Sequence, residues 1–159
     1  MPKQVMNRKA SDNPYLHKDF HGALSCGIEY LHTHYGEDAV REYLRDFARA
    51  FYAPLRQRVK TDGLAVIRKH YEEIFREETG AVKFQGSDNA LTLTVKACPA
   101  IAHMRKHGLP VARMYCETTR IMNEVLCEGS PFTAELCNCD PRLGTCEQRF
   151  RRRRNHQAT

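Results

Sequence analysis

The sequence predicts an α+β fold, with N-terminal helices packed on an antiparallel sheet of about four strands and two helices inserted in the sheet half. Through the first half of the chain, apolar residues recur at helical spacing. After Gly80 the period changes to two, because Leu91, Leu93 and Val95 alternate with polar residues. The same change from helix to hairpin occurs after Gly129. The order helices, hairpin, helices, hairpin is typical of the α+β class.

Three helices are predicted before the sheet. The first covers residues 14–35, behind a capping asparagine and ahead of Gly36. The second covers about residues 37–52, and Pro54 is expected to end or kink it. The third covers residues 64–78, with apolar side chains again at helical spacing.

Two hairpins and two helices make up the rest of the prediction. A proline in the first helical position begins a helix after Cys98, and Gly108 ends it. A further helix is expected over residues 110–129. The four predicted strands are residues 81–85, 90–97, 132–138 and 145–151.

One domain is expected, because 159 residues is the length of an ordinary domain. We divide the chain into a disordered N-terminus (1–12), a single α+β domain (13–150) and a basic tail (151–159). The net charge is +6, and removing the four arginines at 151–154 leaves +2. Such a terminal run is usually a solvated tail. Since the tail has no interleaved aromatic residues for base stacking, nucleic acid is not favoured as a partner.

The composition favours a cytoplasmic protein with a small-molecule substrate or ligand. No apolar run approaches the ~20 residues that span a bilayer. The first residues have no apolar core of the kind that a signal peptide carries. The open edges of the predicted sheet make a homo-oligomer plausible.

Seven cysteines are many for a cytoplasmic chain. Because the number is odd and no secretion signal is apparent, a disulfide framework is not expected. Reduced thiols serve as small core residues, nucleophiles or metal ligands. Five of the seven fall in the last third of the chain: Cys98, Cys116, Cys137, Cys139 and Cys146.

The stretch YLHKDFHGALSCG, residues 15–27, places two histidines at the margin of the apolar stripe of the first helix. His17 and His21 are one turn apart, and two imidazoles at that spacing can share a metal ion. Asp19 points to the other side of the helix and does not complete the set. The alternative is that both are boundary histidines with half-covered rings.

Cys98 lies between the end of a predicted strand and the start of a predicted helix. Free backbone N–H groups and the helix dipole are expected to lower the pKa of its thiol, which suits a nucleophile or a metal ligand. The alternative is a small buried residue at a tight junction. His103 could act as a base, although helix geometry directs it away from Cys98.

Polar residues also follow one face of the next predicted helix. Cys116, Thr119 and Asn123 share that face, and they either line a cavity or are satisfied within the core. In the last strand, Cys146 and Gln148 point to the same face of the sheet. Thr119, Asn123, Cys146 and Gln148 are therefore candidate ligand-binding residues.

The segments VKACPAIAHMRKHGLP, MYCETTRIMNEVL and GTCEQRF resemble the family of L-2-amino-thiazoline-4-carboxylic acid hydrolases over about residues 14–152. The resemblance implies a hydrolase and carries over Cys98, Cys116 and Cys146 as site positions. A more distant likeness, to the folds of 4-vinyl reductases and heme-type nitric-oxide sensors, is one of fold alone.

Two functions remain open. The first is a small hydrolase acting on a C–N or C–S bond of a small heterocycle or amide, with a Cys/His pocket between the first helix, the start of the Cys98 helix and the Cys116 helix. The second is a non-enzymatic module that binds a metal such as zinc or iron, a heme or another small ligand. The catalytic candidates are Cys98, His103 and Cys116, and the metal-ligand candidates are His17, His21, Cys98 and Cys116.

Overall fold

The computed structural model describes residue 18 and residues 20–153, and the predicted disordered segment 1–12 lies outside them. Six helices and four strands occur in this part of the chain. The helices and strands confirm the predicted α+β class. In chain order they are α1 (Phe20–Tyr35), α2 (Glu37–Phe51), α3 (Ala53–Asp62), α4 (Leu64–Glu77), β1 (Ala81–Ser87), β2 (Ala90–Ala97), α5 (Pro99–Lys106), α6 (Glu117–Cys127), β3 (Phe132–Asp140) and β4 (Thr145–Arg152).

Helix α3 is absent from the sequence prediction. Pro54 was expected to end or kink the preceding helix, but it lies in the first turn of α3. A proline is accommodated there because the first-turn N–H groups have no intrahelical partner. The sequence therefore holds two consecutive helices where one helix and a connection were expected.

The predicted helix over residues 110–129 begins only at Glu117. Residues 110–116 form an extended segment followed by a turn. Ser25 of α1 explains the difference, since its Oγ donates to the Pro110 carbonyl and accepts from the Ala112 N–H, both at 2.8 Å. These two backbone groups are held by a tertiary contact and do not enter a helical ladder.

The sheet is antiparallel with strand order β1-β2-β4-β3. Val95 pairs with Cys146, Leu93 with Gln148 and Leu91 with Phe150, so these side chains share one face. Helices α4 and α6 contact the strands, and α2 packs on α6. The face of the sheet that carries these residues is therefore the one that belongs to the core.

Strand β4 runs to Arg152, two residues beyond the domain end placed at residue 150. Arg151 pairs with both Ala90 and Thr133. The Arg152 guanidinium lies 4.9 Å from the centre of the Phe132 ring. The first two arginines of the basic run thus belong to the sheet.

Two apolar cores meet at the junction between β2 and α5. One core is formed by α1, α2, α5, α6 and residues 112–115. The other is formed by α3, α4, the end of α6 and the sheet. Cys98 packs against both cores. The predicted site residue therefore lies at the centre of the fold.

Across residue 18 and residues 20–153, none of the helices combines the length and the apolar character that crossing a membrane requires.

Candidate functional site

A hydrogen-bonded chain of three side chains connects α1, the end of α4 and the segment before α6. Nε2 of His21 lies 3.0 Å from Oε2 of Glu78, and Nδ1 of His21 lies 3.3 Å from the hydroxyl of Tyr115. Glu78 and Tyr115 are buried, whereas the His21 side chain is 21% exposed. With Nε2 protonated, the imidazole donates to the carboxylate and accepts from the phenol. The three groups form a path along which a proton can move.

Cys98 packs against the apolar core that contains Tyr115. The pKa of the Tyr115 phenol is raised by burial first, and then by the nearby Cys98 thiol and Glu78 carboxylate. The pKa of the Cys98 thiol is also raised, mainly by burial and to a smaller extent by Glu78. The side chains of His21, Glu78, Tyr115 and Cys98 are called the relay cluster below.

The prediction that the pKa of Cys98 is lowered is wrong. Cys98 does stand at the N-cap of α5, and the N–H groups of Ala100 and Ile101 favour its thiolate. Burial in the two cores outweighs them, because a low dielectric disfavours the charged form. The N-cap position by itself therefore does not lower the pKa of the Cys98 thiol.

Helix α1 holds the segment that carries Tyr115. Ser25 is buried one turn after His21 and binds the backbone of residues 110 and 112. Further along, Glu29 accepts a hydrogen bond from the Arg113 N–H at 3.2 Å. A Cβ on Gly22 would lie 2.7 Å from Cδ1 of Leu109, so glycine permits the close approach. One face of α1 thereby aligns His21 with Tyr115.

The backbone is strained directly after Glu78. Thr79 has φ 59°, in the left-handed region that a β-branched residue rarely adopts. Its hydroxyl donates to the Glu78 carbonyl at 2.6 Å. Strain of this kind persists where the surroundings enforce it, and it concentrates at functional sites. The turn sets the position of the Glu78 carboxylate.

A second polar chain runs through the core behind Cys98. The Tyr71 hydroxyl donates to Oδ1 of Asn123, and Nδ2 of Asn123 donates to Oε1 of Gln148 at 2.9 Å. Nε2 of Gln148 then lies 3.7 Å from the sulfur of Cys146. The pKa of Cys146 is raised to about 11 by burial, with a smaller contribution from Cys98. The tertiary structure thus brings together Asn123, Gln148 and Cys146, three residues that the sequence predicted.

These side chains satisfy one another and do not line an open surface. Asn123 is 1% exposed and Gln148 is 3% exposed. Asn123 and Gln148 thus form a buried hydrogen-bonded chain that ends at Cys146, and the ligand-binding role of these residues stays a prediction. Thr119 on α6 is half-buried, and it is not a member of this hydrogen-bonded chain.

Cys116 forms a disulfide with Cys139. Its predicted roles as catalytic thiol and as metal ligand are wrong for this state, because a disulfide sulfur offers no thiolate. One pair of cysteines is therefore bonded, whereas the sequence analysis expected no disulfide. Cys26, Cys98, Cys127, Cys137 and Cys146 are free.

The predicted metal-ligand set is not assembled in the part of the chain that the structure describes. His17 lies outside the described residues, and His21 bonds to Glu78 and Tyr115. Within residue 18 and residues 20–153, no three His, Cys, Asp or Glu residues are grouped so that they could hold a metal ion. The described donors do not fit the predicted metal.

His103 occupies the last turn of α5, away from Cys98 at its start. Its ring centre lies 4.4 Å from that of His107. The base role predicted for His103 is not supported by this position, and His21 is the histidine that is hydrogen-bonded to both Glu78 and Tyr115.

An open cleft of about 580 Å³ lies along α1 beside the relay cluster. Ser25, Glu29 and Tyr30 of α1 line one side, and residues 110–113 line the other. His21 and Cys98 do not line this cleft, and His17, the other histidine of the predicted wall, lies outside the described residues. The cleft and the relay cluster share the segment before α6.

Glu78 and Tyr115 were missed by the sequence analysis. Tyr115 directly precedes Cys116 within the motif MYCETTRIMNEVL. Because the sequence predicted a helix over this residue, the direction of its side chain was not predicted. Glu78 is one of two glutamates in the segment FREETG, and nothing local distinguishes it from Glu77. The fold alone identifies it, because the strained turn directs it inward.

Comparison of the sequence with models of protein families finds no matching family, and no curated protein shows a significant match.

Proposed function

We propose that this protein is a small hydrolase that cleaves a C–N or C–S bond of a small heterocycle or amide with Cys98 as nucleophile. The observation that supports this proposal is the hydrogen-bonded chain from Glu78 through His21 to Tyr115, which ends in the apolar core that Cys98 packs against. Thiolate–imidazole pairing is the usual way to activate such a thiol near neutral pH. The resemblance to L-2-amino-thiazoline-4-carboxylic acid hydrolases supplies the substrate class.

The relay cluster supplies the proton transfers of such a reaction. Tyr115 takes the proton of the Cys98 thiol as it passes its own proton to Nδ1 of His21, and Glu78 stabilises the imidazolium that forms. The thiolate attacks the carbon of the scissile bond, and the N–H groups of Ala100 and Ile101 favour the thiolate.

The same protons complete the reaction. The nitrogen or sulfur that leaves the carbon takes the proton from His21. Water then cleaves the bond between carbon and the Cys98 sulfur, and one of its protons returns along the relay. The thiol is restored, and the sum of the steps is hydrolysis by one water molecule.

The proposal includes a cytoplasmic location and a homo-oligomer, as predicted from the composition and the open sheet edges. Strands β1 and β3 form the two edges of the sheet. Their unpaired backbone groups are able to pair with another chain.

The test is hydrolysis of L-2-amino-thiazoline-4-carboxylate and of a panel of small amides by the full chain, compared with Cys98→Ser. We expect the variant to lose activity by about a thousandfold or more, since a hydroxyl in this position is a far weaker nucleophile. Loss of the nucleophile with an intact fold is checked by circular dichroism.

Cys137→Ser is the matched control, because Cys137 is a free cysteine on β3. It should hydrolyse the substrates at the rate of the unmodified chain. Equal activity of the Cys98→Ser variant, or no activity of the unmodified chain on the panel, would contradict the proposal and favour a ligand-binding module.

A further inference from the structure

The disulfide between Cys116 and Cys139 joins the two backbone segments that frame Cys98. Cys116 directly follows Tyr115, whose hydroxyl contacts His21. Cys139 lies at the end of β3, one residue before the turn that leads into β4. At the far end of that turn, the Gly144 carbonyl accepts the Cys98 N–H at 2.8 Å. The disulfide therefore connects the segment that carries Tyr115 with the turn whose Gly144 carbonyl binds the backbone of Cys98.

The turn after Cys139 is held as a unit. Oδ1 of Asp140 accepts from the N–H of Arg142 at 2.7 Å and of Leu143 at 3.2 Å. The Asp140 carbonyl accepts from the Gly144 N–H at 2.8 Å. A displacement at Cys139 is thus passed to Gly144, and from there to the backbone of Cys98.

Strand β3 is irregular where the disulfide is attached. The register between β3 and β4 is interrupted between Cys137 and Asp140, and Asn138 has φ 49°. Regular ladder pairing is interrupted at Cys139, so the disulfide adds a restraint on its position. Opening the disulfide releases this restraint and the restraint on the segment before α6 together.

We propose that the Cys116–Cys139 pair is a site of exchange with small-molecule thiols, and that its opening loosens the surroundings of Cys98; this proposal rests on the proposed role of Cys98. Both residues are half-buried, so a small thiol can reach them. Cys137 provides a third thiol two residues from Cys139. Disulfides in cytoplasmic proteins of mesophiles are usually catalytic or redox-sensing.

The exchange proceeds in two balanced steps. A thiolate of the small molecule attacks one sulfur of the protein disulfide, forms a mixed disulfide with it and releases the other sulfur as a thiolate, which takes a proton from water. A second small thiolate attacks the sulfur of the small molecule in the mixed disulfide. The protein disulfide gains two electrons and two protons, and two small thiols become one small disulfide.

The test follows the labelling of individual cysteines in the full chain by N-ethylmaleimide, with peptide mass spectrometry, before and after equilibration with reduced glutathione. We expect Cys98 labelling to become about tenfold faster on reduction, because the half-buried thiol packs against both cores and is reached more easily when the restraint on its surroundings is released. Cys26, which is exposed, should label at the same rate in both states.

A variant with Cys116→Ser and Cys139→Ser should label rapidly at Cys98 with or without glutathione, and circular dichroism verifies that it is folded. Cys137→Ser, which leaves both disulfide residues in place, should keep the response to glutathione. Unchanged Cys98 labelling on reduction of the unmodified chain would overturn the proposal. Labelling of Cys116 and Cys139 before any reductant is added would overturn it too.

Hydrolysis is measured on the same samples and separates the two proposals. Activity that falls as Cys98 labelling rises supports both. No hydrolysis in either state, with labelling of Cys98 that still follows the disulfide, overturns the hydrolase and leaves the exchange site standing. If hydrolysis occurs and neither hydrolysis nor Cys98 labelling changes when glutathione is added, the proposal of an exchange site is overturned and the hydrolase proposal is not.

Discussion

Glu78 shows how strongly a single buried carboxylate determines this site. Its Oε2 lies 3.0 Å from the His21 ring, and its charge contributes to the raised pKa values of Tyr52, Cys98 and Tyr115. At the residue scale, the site is therefore a thiol and two phenols whose pKa values are raised by burial and by one carboxylate. Substitutions at single positions test this arrangement directly.

Replacing Glu78 with glutamine is expected to lower the pKa of the Cys98 thiol, because an acidic neighbour is removed while shape is conserved. Hydrolysis should fall by about tenfold to a thousandfold, the usual range for loss of acid–base assistance. The pH dependence of Cys98 labelling and kcat/KM are the two measurements. Glu77→Gln, at an exposed neighbouring position, is the control and should change neither.

If Glu78→Gln labels and hydrolyses as the unmodified chain does, the carboxylate has no part in activating Cys98. The two readouts separate positioning from mere stability, because a structural role would not move the pKa of the thiol.

Tyr71→Phe is expected to destabilise the protein by about 1–3 kcal/mol, since it leaves Oδ1 of Asn123 without its donor in the core. The free energy of unfolding in urea measures the change. Tyr30→Phe is the control, because Tyr30 is 56% exposed and its hydroxyl is solvated. Equal losses in the two variants would show that the polar chain behind Cys98 does not contribute to stability.

At the scale of whole elements, α1 is the part of the fold that builds the site. Its face with Gly22, Ser25 and Glu29 holds residues 109–113 in an extended course, and His21 stands on the same side. The segment before α6 is non-helical because α1 satisfies its backbone groups. The helix and the segment therefore depend on each other.

Ser25→Ala leaves the Pro110 carbonyl and the Ala112 N–H without their partner. We expect a loss of about 2 kcal/mol for these buried groups. For a chain of this size, that corresponds to a melting temperature lower by about 4–8 °C. Calorimetry measures the melting temperatures of Ser25→Ala and of the control Cys26→Ala, a change at the exposed next residue. Equal melting temperatures would show that the two hydrogen bonds of Ser25 do not stabilise the protein.

The predicted elements failed in two places, one for a local reason and one because a contact between distant residues overrides local preference. The first turn of α3 accommodates Pro54, and residues 110–116 leave the expected helix for Ser25. The hairpins were predicted well, because alternation of apolar and polar residues and the turn residues are local signals. Periodicity thus located the elements, and tertiary contacts moved their ends.

At the scale of the whole molecule, buried thiols and phenols make stability depend on pH. Burial raises the pKa of Tyr52 and of Cys127 to about 12, and the pKa of Cys146 to about 11. In the unfolded chain a thiol ionises with a pKa near 9.0. Between these pH values the folded protein binds more protons than the unfolded chain, so stability falls as the pH rises.

The free energy of unfolding should therefore decrease between pH 8 and pH 10.5, and Cys127 by itself accounts for about 2 kcal/mol of the decrease. Urea unfolding without oxygen at the two pH values measures it. Cys127→Ala should be less stable at pH 8 but lose about 2 kcal/mol less on going to pH 10.5. A decrease of equal size in the variant would show that the Cys127 thiol is not shielded in the folded state.

The sequence by itself determined the fold class and the positions of most helices and strands, and it indicated Cys98, His21, Asn123, Cys146 and Gln148 as candidate site residues. These follow from periodicity and from the local setting of each residue. The tertiary structure decided which of them meet, because the partners are far apart in the chain: His21 and Glu78 are separated by 57 positions, and His21 and Tyr115 by 94. It also decided the sign of the pKa shift of Cys98, since burial depends on the packing of both cores around one thiol.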